Sequence, residues 1–87
     1  MKSNLELKVI IEKINNIFRD VLQNEEINIK YETTANDVDE WDSLSHILLV
    51  LEIENNFQIK FTAKEIQDFK NVGDMCEGIM SKLKISN

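Results

Sequence analysis

Trp41-Asp42-Ser43-Leu44-Ser45-His46-Ile47-Leu48-Leu49-Val50-Leu51-Glu52-Ile53-Glu54-Asn55-Asn56-Phe57 opens on a tryptophan, an aspartate and a serine, and its middle, Ile47 to Leu51, is an unbroken aliphatic run. Asp42 and Ser43 both carry oxygens that accept from first-turn amides, so either one caps a helix. The apolar positions (Leu44, Ile47 to Leu51, Ile53, Phe57) go nearly all the way round that helix until Glu52 and Glu54. Such a helix is either the most buried one or it keeps an apolar patch for a partner. It is too short to span a bilayer, which takes about 20 apolar residues. Leu44 is expected to fix the helix start into the core, and Asn55-Asn56 to close the helix.

Upstream, Ser3 and Glu6 have capping-box spacing, the hydroxyl taking an amide of the first turn while the carboxylate reaches back. Leu5, Val9, Ile10, Ile14, Ile17, Phe18, Val21 and Leu22 then recur at three- and four-residue steps, with Lys8, Glu12, Lys13, Asn16 and Arg19 opposite. This predicts a long amphipathic helix ending near Gln23 or Asn24. Residues 24–41 carry no helical period. Ile27, Ile29 and Tyr31 alternate over a few positions, which fits a short strand or, in our reading, an extended loop pinned across the helices. A connection this long is unusual in a small domain and points to a task for the loop. Val38 and Trp41 are expected to anchor its end.

Downstream, Phe57, Ile59 and Phe61 alternate with Gln58 and Lys60, as in a brief extended link with one face inward. Thr62 and Glu65 form a second capping pair at the start of a short helix with Ile66 and Phe69 inside. Asn71 caps a last helix carrying Asp74 in its first turn. Val72, Cys76, Ile79, Met80 and Leu83 make its apolar face, and Lys82 and Lys84 sit where the dipole favours cations. The expected fold is all-α: a small four-helix bundle, three main helices and one short, with a long loop between the first and second. Residues 1–87 form a single domain.

The chain has 87 residues, no proline, two glycines and a formal net charge of −6. A core of this size supplies roughly 3–5 kcal/mol and leaves no room for a deep substrate cleft. Between Asp20 and Phe57 the only cation is Lys30, against a run of acids from Asp20 to Glu54. Nucleic acid and anionic membrane are poor partners for such a surface, and a basic protein patch is a good one. The single cysteine, Cys76, excludes an internal disulfide and a multi-cysteine zinc site. It falls on an apolar helix face, where a thiol is buried and inert. The N-terminus lacks the apolar core of a signal peptide, so the protein is expected to be soluble and cytoplasmic. Asp37, Asp39, Glu40 and Asp42 lack the glycine-turned calcium-loop pattern, and no metal site is expected.

Ser43 is the one side chain that invites chemistry. His46, the only histidine, is within reach of it across one turn. No third residue orients the ring and no wall excludes water, so a serine hydrolase is disfavoured and no catalytic residue is assigned. A plain helix cap explains Ser43 on its own. The neighbourhood adds more.

Asp42-Ser43-Leu44 follows a long acidic loop, opens an apolar helix, and is followed by Phe57-Gln58-Ile59-Lys60-Phe61 and a capped short helix. The arrangement resembles the acyl carrier protein family, the phosphopantetheine-binding carrier domains, over essentially the whole chain and most strongly from Val38 to Met75. The resemblance implies a four-helix bundle in which Ser43 receives 4′-phosphopantetheine from a phosphopantetheinyl transferase. The thiol of that arm then carries an acyl or aminoacyl group as a thioester. It also implies a monomer that performs no chemistry itself and is served by an acyl- or aminoacyl-loading enzyme and a downstream transferase or synthase. A helix N-terminus suits a phosphodiester; Asp42 opposes that attraction, so its role is capping or recognition. Fatty-acid-synthesis members are strongly acidic along the second helix, whereas here Ile47 to Leu51 is apolar. Docking is therefore expected along 44–56, more apolar than in those members, through Asp42, Leu44, His46, Leu48 and Leu51, with Leu48 or Leu51 outward. Trp41 and His46 look similar to freestanding carriers of specialised pathways, such as polysaccharide decoration, polyketide-like and aminoacyl-carrier systems. The alternative is a non-enzymatic helical module that uses the same apolar helix to bind a partner helix.

Overall fold

A computed structural model describes residues 4–83, with side chains from Glu6 onward. Ser3, the Leu5 side chain and Lys84, assigned above to the first cap, the first stripe and the last turn, lie outside the described residues. Four α-helices follow in order: α1 Asn4–Leu22, α2 Ser43–Phe57, α3 Ala63–Asp68 and α4 Val72–Leu83. The all-α bundle with a long first loop is what the periodicity predicts.

α1 buries Ile10, Ile14, Ile17 and Phe18, a stripe at three- and four-residue steps. Val9, expected on that stripe, lies at its solvent edge. The helix stops where Gln23 turns left-handed, with φ 54°, and the Asn24 amide reaches back to the Arg19 carbonyl at 3.1 Å. That bond satisfies a carbonyl which the helix itself cannot pair.

The long loop packs as an irregular segment. Ile27, Ile29, Val38 and Trp41 are buried, and a three-residue 3-10 turn covers Ala35–Asp37. The only β pairing among the described residues is an isolated bridge between Thr34 and Asn71. Two α1 side chains satisfy the backbone of the buried stretch. Arg19 Nε donates to the Ile27 carbonyl at 2.7 Å, and Asn15 Oδ1 accepts from the Ile29 amide at 2.9 Å. The far side of the loop is pinned to the start of α4, where the Val72 amide donates to the Thr33 carbonyl and the Gly73 amide to the Tyr31 carbonyl. A Cβ on Gly73 would stand 2.7 Å from the Tyr31 ring, so a side chain there would displace the ring from its place against α4. The Tyr31 hydroxyl donates to Glu77 at 2.7 Å, and that bond pushes the phenol up to about 12.

α3 and α4 start as their capping pairs predict. Thr62 Oγ1 accepts from the Glu65 amide while Glu65 returns a bond to the Thr62 amide, and Asn71 Oδ1 accepts from the Asp74 amide at 2.7 Å. α4 buries Val72, Met75, Cys76 and Ile79 completely. Met75 joins the expected face one turn after Val72, while Leu83 at the helix end is open to solvent.

α2 departs from expectation at both ends. It runs past Asn55-Asn56 to Phe57, because Gln58 takes the left-handed conformation (φ 58°) and lets the Ile59 amide close on the Glu54 carbonyl at 3.1 Å. Glu54 is buried, and its Oε2 accepts from the Phe61 amide at 2.8 Å, which fastens the 57–61 link to α2. Leu44, expected to anchor the helix start in the core, is 72% exposed. The inward row begins one residue later, at Ser45, and continues through Leu49 and Ile53 at steps of four. Leu44 therefore heads the outward row with Leu48 and Leu51.

Candidate functional site

The turn that starts α2 is built by two residues that face inward and one that does not. Asp42 is the cap. Its Oδ1 accepts from the Ser45 amide at 2.9 Å, and its own amide donates to Ser45 Oγ at 2.8 Å. The Ser45 hydroxyl in turn donates to the Glu40 carbonyl at 2.8 Å. These bonds, the one from the Ser45 amide above all, hold the Asp42 carboxyl below the usual carboxylate range. Ser45 is buried and its hydroxyl is fully used. It completes the capping box, a part that a search for glutamate or glutamine at that position overlooks.

Ser43, the first residue of the helix, is exposed, and no hydrogen bond among the described residues engages its hydroxyl. A free hydroxyl thus stands at the positive end of α2 while its neighbour two residues on is locked away. Beside it lies a cleft of about 510 Å³ lined by Trp41, Ser43, His46, Ile47, Ile66 and Phe69, among others. Its walls are mostly apolar, and Ser43 is one of the residues that line it.

His46 is not placed to serve Ser43 as a base. Its Nδ1 is 3.0 Å from Trp41 Nε1, and its Nε2 is 2.9 Å from the Ile66 carbonyl. An indole nitrogen can only donate, so Nδ1 accepts and the ring hydrogen sits on Nε2, donating to Ile66. Both nitrogens are spent on structure. Trp41 is itself buried, edge-on to Phe18 with ring centroids 5.0 Å apart. Nothing in the sequence signalled the partnership with Ile66, which is twenty residues away.

Leu44, Ile47, Leu48 and Leu51 form a continuous exposed apolar strip along α2, with Leu48 and Leu51 both outward. Among the described residues no group of three or more His, Cys, Asp or Glu side chains gathers to hold a metal ion, and no helix is long and apolar enough to cross a membrane. Cys76 is buried, and burial pushes its thiol up to about 12.

Comparison with known proteins gives the class. The family model for a phosphopantetheine attachment site matches residues 12–79. A holo acyl carrier protein from Geobacter metallireducens, solved in solution, is 41% identical, with a TM-score of 0.79 over 86% of this chain and 86% of its own. An acyl carrier protein from Thermotoga maritima is 25% identical, with a TM-score of 0.82 over 91% of this chain and 92% of its own. No protein of curated function matches the chain in sequence. The chain belongs to the phosphopantetheine-attachment-site family. It is a carrier protein of the acyl carrier type, one that bears a covalent 4′-phosphopantetheine and is not itself an enzyme.

Proposed function

We propose that Ser43 is the attachment residue and that the exposed strip of α2 is the docking surface for the enzymes that load and unload the arm. The observation that supports this most is the contrast inside one helical turn: Ser43 is exposed and its hydroxyl has no hydrogen bond among the described residues, while Ser45 is buried and its hydroxyl is bonded. Only the first can meet an incoming transferase. When bound, the arm supplies a thiol that holds an acyl or aminoacyl group as a thioester. The chain's own residues hold and present it. Asp42 fixes the helix start, so the Ser43 backbone does not shift when a partner approaches. The positive helix end faces the phosphate of the arm. The apolar cleft walls give the arm a place to lie along α2. Leu44, Ile47, Leu48 and Leu51 offer a partner an apolar strip, and Asp42 and Glu40 add a negative rim at its head. His46 contributes from the cleft wall. The apolar middle of α2 supports a dedicated carrier with its own partner set, working in a reducing cytoplasm where Cys76 stays a thiol.

Coexpression with a promiscuous phosphopantetheinyl transferase and intact-mass measurement tests the assignment. Wild type and Ser45→Ala gain one phosphopantetheine, and Ser43→Ala gains none. An equal gain in Ser43→Ala rejects it. Partner binding that needs no arm and persists in Ser43→Ala favours the plain interaction module instead.

A further inference from the structure

α3 is the least anchored helix. It has six residues, none of them buried, and a helix of that length does not hold itself together in water. Three ties fasten it. Glu65 pairs with Lys82 of α4 at 3.1 Å, a surface pair that salt screens. Phe69 at its end stacks edge-on against Phe61, ring centroids 5.0 Å apart, and lies against Gly78. The third tie is His46. Its bond to the Ile66 carbonyl is the only hydrogen bond joining α2 directly to α3 among the described residues.

That bond is built with care at both ends. The Ile66 carbonyl lies in the last turn of α3, where helical partners run out, and the Phe69 amide reaches it only at 3.4 Å. On the other side, the Trp41 indole N–H fixes which ring nitrogen of His46 carries the hydrogen. Trp41 and His46 lie nearly parallel, 12° apart, and Trp41 is held edge-on by Phe18 of α1. A continuous relay therefore runs from α1 through the loop end and α2 to α3. It crosses the wall of the cleft beside Ser43, one turn from the hydroxyl.

We propose that His46 is a positioning residue, a latch that fixes α3 against α2 and so sets the width of the cleft beside Ser43. With the latch closed, His46 holds the end of α3 against α2, and His46, Ile47 and Ile66 together wall the cleft beside Ser43. A group on the arm then rests in the surface cleft. With the latch open, the end of α3 loosens from α2 and the cleft widens. The position of α3 does not depend on the attachment reading; the consequence for the arm's cargo rests on it.

Hydrogen exchange on the unmodified protein tests the latch. His46→Leu keeps the bulk and removes both bonds, and the amides of Ile66 to Lys70 then exchange about fivefold faster, the worth of one neutral hydrogen bond. Amides of Leu49 to Ile53 and of Ile79 keep their rates. His46→Gln, whose amide can accept from Trp41 and donate to Ile66, restores most of the protection. Trp41→Phe, which keeps a ring but removes the donor, gives an intermediate rise. Unchanged α3 rates in His46→Leu overturn the proposal, and so does a rise spread evenly over all four helices. The cargo consequence has its own readout. Acetyl and octanoyl arms are loaded from the matching coenzyme A thioesters by the promiscuous transferase, and Tm is compared. The octanoyl form gains Tm over the acetyl form in His46→Leu but not in wild type; equal gains overturn the gating. Failure of either arm to load counts against Ser43 as the attachment residue, and exchange on the unmodified chain still decides the latch.

Discussion

α2 and α4 are both apolar helices, and they spend that character differently. α4 turns Val72, Met75, Cys76 and Ile79 wholly inward, and the only large apolar side chain it exposes among the described residues is Leu83, at its end. α2 turns Leu49, Val50 and Ile53 inward and still displays Leu44, Ile47, Leu48 and Leu51. The first pattern is what a core needs. The second holds more apolar surface than the core can use, in a chain whose other exposed regions are rich in charge. Surplus of that kind, set in one strip beside a free hydroxyl, is what the docking role proposed for α2 calls for.

The sharpest way to break the comparison is truncation on the two helices. Met75→Ala or Ile79→Ala empties a sealed site and costs about 2–5 kcal/mol, enough to unfold much of a domain this small. Urea unfolding followed by circular dichroism reads it. The double change Leu48→Asp with Leu51→Asp, both on the exposed strip, shifts stability by no more than about 0.5 kcal/mol per site. It raises the KM of the loading transferase for the carrier by about tenfold, through lost apolar contact. If the aspartates unfold the protein, or leave KM untouched, the division between core helix and docking helix is wrong.

The smallest effect sits at the head of α2. Asp42 is depressed below its ordinary value of 3.8, chiefly by the Ser45 amide. A carboxyl depressed on folding stabilises fully above its unfolded value, and that contribution is lost as pH falls through the lower folded value. Tm measured from pH 5 down to about 2 therefore declines more steeply in wild type than in Asp42→Asn. Glu65 is depressed too, through the Thr62 amide and Lys82, so part of the slope survives in the variant.

Much of this architecture was readable in the chain. The capping pairs at Thr62/Glu65 and Asn71/Asp74 and the buried Trp41 all follow from local chemistry, which sequence spacing displays directly. Two details of α2 stay hidden in the sequence, for different reasons. Leu44 was read inward because an apolar residue beside a cap looks like an anchor, but the phase of a helix that is apolar on every side is set by tertiary contact. The end of α2 at Phe57 is hidden because glutamine, not glycine, takes the left-handed position at Gln58. At the candidate site, Ser43 could be picked out by its neighbours, yet the use of Ser45 and the double engagement of His46 could not. Those depend on backbone atoms of Glu40 and Ile66, which have no signature in side-chain identity.

The burial of Cys76 has a consequence for the cargo. A thioester migrates to any nearby thiolate, and two exposed thiols on one molecule can oxidise into an intramolecular bridge. With its own sulfur sealed inside and held as a thiol far above neutral pH, the protein offers the arm neither a competing acceptor nor a redox partner. Transfer of the cargo onto a sulfur of its own carrier is thereby closed off.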